Sequence, residues 1–152
     1  MRASIIITIY NRPDALLLVL QSIEGQTKLP KEVVIADDGS DTITQELITD
    51  FQKSSNLNII HSWQKDKGFR AAKSRNKAIV KSSGDYIILV DGDVILHRKF
   101  IQDHINNAQA NYFVQGSRVL LTEDETNKIL DSKRISFSFF SSGLKNRKNA
   151  IH

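Results

Sequence analysis

The chain has 152 residues, no cysteine and a formal net charge of +4. That length suits one compact domain able to bury its own core, and the lack of cysteine excludes a disulfide framework and any thiolate metal site. The apolar runs are too short to span a bilayer, and the amino terminus enters a strand without the apolar stretch of a signal peptide.

Taken in chain order, apolar runs of strand length alternate with segments of helical period, the pattern of an α/β protein with a mostly parallel sheet flanked by helices. Residues 4–10 form the first strand. Asn11-Arg12-Pro13-Asp14 is a turn, with Pro13 where the first turn of a helix accepts it, and residues 15–23 are the first helix. Residues 32–36 are the second strand and run into Asp37-Asp38-Gly39-Ser40. Residues 41–53 are the second helix, with Ile43, Leu47 and Ile48 or Phe51 on one face.

Residues 57–63 are the third strand, followed by a polar loop over 64–69. Residues 71–81 are helical. The apolar run 86–90 is a strand that ends abruptly at Asp91-Gly92-Asp93. Residues 100–108 read as a helix and 112–121 as a strand interrupted at Gly116. Residues 122–130 read as a helix capped by Thr122, with Glu125 at the capping-box spacing. Beyond Ser132 the pattern fails: residues 136–143 mix Phe with Ser, and residues 145–148 are basic. The expected division is residues 1–132 as a ligand-binding domain and 133–152 as a basic tail.

Two apolar strands that both end in acid-glycine turns are hard to explain by packing. Carboxylates at the mouth of an apolar strand call for a cation, and two hard oxygen donors with open positions suit Mg²⁺ or Mn²⁺ beside a phosphate-bearing ligand. Parallel sheets bind ligands beyond the carboxyl ends of their strands, where strand order reverses. The turns at Tyr10-Asn11-Arg12, Asp37 to Ser40 and Asp91 to Asp93 are therefore expected to line one crevice.

Four segments in order carry a family resemblance: the strand and turn over residues 4–12, the Asp37-Asp38-Gly39-Ser40 turn, the run Lys67-Gly68-Phe69-Arg70-Ala71-Ala72-Lys73-Ser74-Arg75-Asn76, and Gly84-Asp85-Tyr86 leading to Asp91-Gly92-Asp93. Over about residues 3–121 the chain resembles the nucleotide-sugar-binding portion of family 2 glycosyltransferases, which have the A-type, Rossmann-like glycosyltransferase fold. The resemblance implies transfer of a sugar from a nucleotide-diphosphate sugar, a UDP-sugar for preference, to an acceptor hydroxyl with inversion, in the synthesis of cell-envelope polysaccharide. It implies that Thr8, Tyr10, Asn11 and Arg12 embrace the nucleoside, and that Asp38 meets the base or ribose with Asp37 in support. The run Gly68 to Asn76 covers the nucleotide, with Arg75 and Asn76 near the base and phosphates and Lys73 a further cation of that helix. Asp91 faces the ribose or a metal-bound water, Gly92 lets the ligand approach closely, and Asp93, with Asp91, holds Mn²⁺ or Mg²⁺.

The partners so implied are the sugar donor and a glycan, lipid-linked or other hydroxyl acceptor, in a cytoplasmic setting. The basic tail suits either a solvated surface or peripheral contact with the inner membrane face. Nucleic acid is not expected, because the basic stripe over residues 65–81 lacks interleaved aromatics on a sheet face.

Plainer roles compete at several positions. Asp37 and Asp41 suit helix capping, Arg75 a solvated helix face, and Tyr10 the last core position of its strand. His61, His97 and Trp63 read as structural. The family's general base lies well downstream of the acid triplet. Here Glu123, Asp124 and Glu125 look like the first turn of a helix, where acids favour the macrodipole. The chain therefore reads as a donor-binding half, a fragment or a shortened product, and a binding module without turnover is the alternative.

Overall fold

The computed structural model describes residues 1–135 and 140–150, the side chain of Ala150 excepted. The expected readings of residues 136–139 lie outside this range. The backbone divides into two compact units, Met1–Asn107 and Ala108–His152.

The first unit is a four-stranded parallel sheet in the order β3-β2-β1-β4, built from β1 (Ala3–Ile9), β2 (Glu32–Asp37), β3 (Ile59–Trp63) and β4 (Tyr86–Asp91). Helices α1 (Pro13–Glu24), α2 (Thr42–Ser54), α3 (Ala71–Lys81) and α4 (Phe100–Asn107) lie between and after the strands. Strand β1 is central because its side chains are apolar on both faces. Ile5, Ile7 and Ile9 join Leu16, Val19, Leu20 and Ile23 of α1, Ile48 of α2 and Ile101 of α4 in the main core. Ile6 points the other way, into a smaller cluster with Val34, Ala36 and Ala78 of α3. Burying each such aliphatic side chain stabilises the fold by about 1.5–3 kcal/mol, so β1 anchors both layers.

Local chemistry sets the helix starts. Pro13 opens α1. Asp41 caps α2, its carboxylate accepting from the Thr44 amide at 3.1 Å, a contact worth about 1 kcal/mol. Its capping role is thus the observed one.

The second unit contains β5 (Leu120–Leu121), α5 (Glu123–Ser132), β6 (Leu144–Lys145) and a 3₁₀ turn over Arg147–Ala150. Thr122 caps α5 and accepts from the Glu125 amide, and Ile129 is buried. Two expectations change here. The strand over residues 112–121 contracts to Leu120–Leu121, which pairs antiparallel with β6, while Tyr112 and Phe113 stay exposed. The basic tail is not patternless, since Leu144 and Lys145 complete that ladder. Residues on both sides of the expected boundary at 132/133 therefore share one small sheet. Among the described residues no helix is long and apolar enough to cross a membrane.

Candidate active site

The register of the main sheet determines which side chains meet. Thr8 of β1 lies between Ala36 of β2 and Asp91 of β4, and Ile9 pairs with Asp37. Strands β2 and β4 leave β1 on opposite sides, so the carboxyl end of β1 is the switch point where parallel sheets open a crevice. A pocket of about 250 Å³ lies there, lined by Thr8, Ile9, Tyr10, Arg12, Asp38, Phe69, Ala71, Arg75, Asp91, Gly92 and Asp93. The three turns expected to converge do converge.

One end of this pocket is charged. Arg75 reaches from α3 to donate Nε to Thr8 Oγ1 at 2.7 Å and Nη2 to Asp91 Oδ1 at 2.8 Å. Its side chain is therefore tied across the ends of β1 and β4 rather than spread on a solvated helix face. Asp93 is exposed and, among the described residues, has no hydrogen-bond or ion-pair partner. Gly92 donates its amide to the Thr8 carbonyl at 2.8 Å, which fixes the turn between the two acids.

The other end is built from the β2 turn and the loop over residues 64–70. Asp38 is buried, and its carboxylate accepts from Gln64 Nε2 and from the Arg70 amide, both at 2.6 Å. Each oxygen keeps a further lone pair for a ligand. Tyr10 donates its hydroxyl to Asp66 Oδ2 at 3.0 Å. That acceptor, first as a hydrogen-bond partner and then as a charge, raises the phenol above its ordinary range. Asp66 is held below the usual carboxylate range, chiefly by the Gly68 amide and then by Tyr10.

Asp37 is fully buried beneath this turn and does not line the pocket. Its carboxylate accepts from the Gly39 amide at 3.0 Å and the Ser40 amide at 2.7 Å, with His61 Nε2 at 2.8 Å. Burial raises its pKa, but the bonds to His61 and Ser40 outweigh it and the net shift is downward. Asn11, at φ +48°, brackets the two loops: its amide donates to Ser40 Oγ, and its side-chain oxygen accepts from the Asp41 amide. Asp37 and Asn11 shape the pocket from behind.

The remaining candidates lie apart. Lys73 and Asn76 are exposed on α3 and do not line the pocket, nor does Gly68. Arg12 does line it, with Nε 3.3 Å from Asp14. Sequence reasoning gave no role to Gln64 or Asp66, which hold the pocket, and placed Phe69, which lines it, only within the run Gly68 to Asn76 over the nucleotide. The one available signal was that their loop precedes the Arg75 helix.

The donor set fits a divalent ion. Among the described residues no group of three or more His, Asp or Glu could hold a metal; Asp91 and Asp93 are two hard oxygen donors that line the pocket. Mg²⁺ and Mn²⁺ are commonly held this way, by one or two carboxylates with the remaining positions filled by substrate phosphates and water.

The sequence matches the model of glycosyl transferase family 2 over residues 4–152. The chain belongs to this family. It is 33% identical over 103 residues to the hyaluronan synthase of Pasteurella multocida, covering 67% of the family 2 chain and 10% of the synthase. It also covers 18% of an uncharacterized glycosyltransferase of Rickettsia bellii, at 30% identity over 131 residues, 86% of the chain. The family 2 chain thus spans less than a fifth of either relative's length. Among solved structures, S. aureus TarS 1–349 in complex with UDP-GlcNAc superposes with a TM-score of 0.59 at 24% identity, over 77% of this chain and 38% of that one. A mannosyltransferase from Pyrobaculum calidifontis in complex with GDP-Man and Mn²⁺ gives 0.62 at 18% identity, over 85% and 38%. The family 2 chain has the A-type glycosyltransferase fold.

Proposed function

We infer that this chain supplies the donor-binding part of a metal-dependent, inverting glycosyltransferase that uses a nucleotide-diphosphate sugar, a UDP-sugar for preference. The observation that carries this reading is the gathering of Tyr10, Asp38, Arg75, Asp91 and Asp93 around one pocket from the ends of three strands and one helix. The TarS complex with UDP-GlcNAc and the mannosyltransferase complex with GDP-Man and Mn²⁺ support a nucleotide-sugar ligand in this fold.

In this reading Asp93 is the principal ligand of Mn²⁺ or Mg²⁺ and Asp91 the second. When bound, the ion supplies Lewis-acid stabilisation of charge on the departing diphosphate. The guanidinium of Arg75 adds positive charge at the same end, and its planar fork suits phosphate oxygens. Asp38 and Tyr10 orient the nucleoside, while Asp37 and Asn11 hold the turns that carry them. Lys73 contributes positive field from outside the pocket, and the neutral Asn76 stands outside it as well.

The acceptor is a glycan, a lipid-linked saccharide or another hydroxyl, and the name of the hyaluronan synthase favours polysaccharide synthesis. Exposed Lys145 and Lys148 suit peripheral contact with an anionic inner membrane face in a cytoplasmic setting. A second reading is a donor-binding module without turnover. It is favoured by one observation: the acids at Glu123, Asp124 and Glu125 form the first turn of α5, so they do not stand out as a general base.

Calorimetric titration with UDP and GDP, with and without Mn²⁺, tests the donor reading. Binding that requires Mn²⁺ supports it, and no binding of either diphosphate contradicts it. Release of UDP from a UDP-sugar then separates the transferase from the module.

A further inference from the structure

Among the described residues Phe69 is the most exposed large apolar side chain, at 94%, yet it lines the pocket. A phenyl ring left in water has a face that a ligand can cover with profit, and single exposed apolar residues need no explanation unless something holds them at a site. Here the backbone on both sides is held. The Arg70 amide is bonded to Asp38 Oδ2, and the Gly68 amide to Asp66 Oδ1 at 2.9 Å. Asp66 in turn accepts from Tyr10, and the Arg70 guanidinium reaches back to the Lys65 carbonyl. The loop also sits directly on Gly39, whose missing Cβ would lie 2.6 Å from the Asp66 backbone. The segment that presents Phe69 is therefore fixed to the same Asp38 and Tyr10 that line the pocket.

Resting on the donor-binding reading above, we propose that Phe69 is a base-stacking residue: its ring covers one flat face of the donor's nucleobase at the Tyr10–Asp38 end of the pocket. The chemistry favours the base over the sugar. A nucleotide has one flat, weakly polar end and one polyanionic end. The pocket has an aromatic end tied to residues 64–70 and a charged end at Arg75, Asp91 and Asp93. Matching the two leaves the base beside Tyr10 and Phe69.

The test is calorimetric titration of the full chain and its F69A and F69Y variants with UDP and with inorganic pyrophosphate, each with Mn²⁺. Pyrophosphate carries the charged end without a base. Phe69 is so exposed that both variants should keep the wild-type melting temperature. F69A is expected to bind UDP about tenfold more weakly, the usual worth of a base–aromatic stack. F69Y is expected to stay within about twofold, because the ring is retained. Pyrophosphate affinity should not change in either. Unchanged UDP binding in F69A overturns the proposal, as does an equal loss of UDP and pyrophosphate, which would mean that the loop has collapsed. A wild-type chain that binds neither UDP nor GDP overturns the donor-binding reading and this proposal together, whereas wild-type binding that is insensitive to F69A overturns this one alone.

Discussion

Arg75 and Asp91 form a 2.8 Å ion pair that bridges α3 to the end of β4, with Thr8 accepting a second bond from the same guanidinium. The pair is 38% and 56% exposed, so solvent screening limits its contribution to stability to less than about 1 kcal/mol. Its importance lies in geometry. Arg75 occupies one oxygen of Asp91 and leaves Asp93 open, which divides two nearby acids into a paired one and a free one. Arg75→Lys removes the fork that reaches Thr8 and Asp91 together. The expected outcome is an unchanged unfolding midpoint with UDP binding weakened about tenfold or more in Mn²⁺, measured by parallel urea melts and calorimetry.

Asp37 is expected to behave as a structural acid, in contrast to Asp93. Asp37→Ala would orphan the Gly39 and Ser40 amides and the His61 ring. A loss of about 3 kcal/mol in unfolding free energy follows from leaving such buried partners unmet. Asp37→Asn keeps an acceptor oxygen and should cost about half as much by the same reasoning. Asp93→Ala, at an exposed position, should shift the urea midpoint little.

The Gly39 position combines φ +104° with a Cβ site 2.6 Å from the Asp66 backbone. Gly39→Ala must therefore move the loop as well as strain the chain, at a cost of about 2 kcal/mol or more. Gly68 also has positive φ, at +83°, but open space around it, so Gly68→Ala should cost only about 1 kcal/mol. Thermal melts rank the two. UDP affinity should fall more in Gly39→Ala, because the loop it displaces carries the partners of Asp38 and Tyr10.

Acidification should destabilise the fold in two stages. Burial lowers the pKa of His104, which packs edge-on against Phe100 with ring centroids 4.5 Å apart. The unfolded chain then takes up a proton near pH 6.5 while the folded one resists. Stability from this group is thus fully present above about pH 6.5 and is lost as pH falls below it. Asp37 has a depressed pKa despite burial, so its contribution is present above about pH 4, the unfolded value, and is lost as pH falls through the lower folded one. Melting temperatures between pH 7 and 5 should drop in the wild type and less so in H104Q.

Much of this architecture was legible because its signals are local. The apolar runs of β1, β2 and β4 each end at a polar turn, and the parallel order follows from the helices between them. Residues 112–121 show where such reading stops. Their apolar, β-branched content gives strand propensity, but a strand also needs a partner, and among the described residues only Leu120 and Leu121 have one, in β6. The pocket was legible at its acids, since charge after an apolar strand stands out. Asp37 and Asp38 illustrate the limit: adjacent and chemically identical, they differ because strand alternation and loop contacts send one into a closed network and the other to the pocket. Phe69 was legible only as one member of the run Gly68 to Asn76 expected over the nucleotide, because its own place comes from a loop held by Asp38, Asp66 and Tyr10 rather than from periodicity.

The central claim is that the acids closing β4 hold a metal-bound diphosphate. Its most direct test is the ratio of UDP affinities with and without Mn²⁺, compared between the wild type and Asp93→Ala. A ratio well above one that collapses to near one in the variant, with the fold intact, is the expected result. An equal Mn²⁺ dependence in both proteins would contradict the claim.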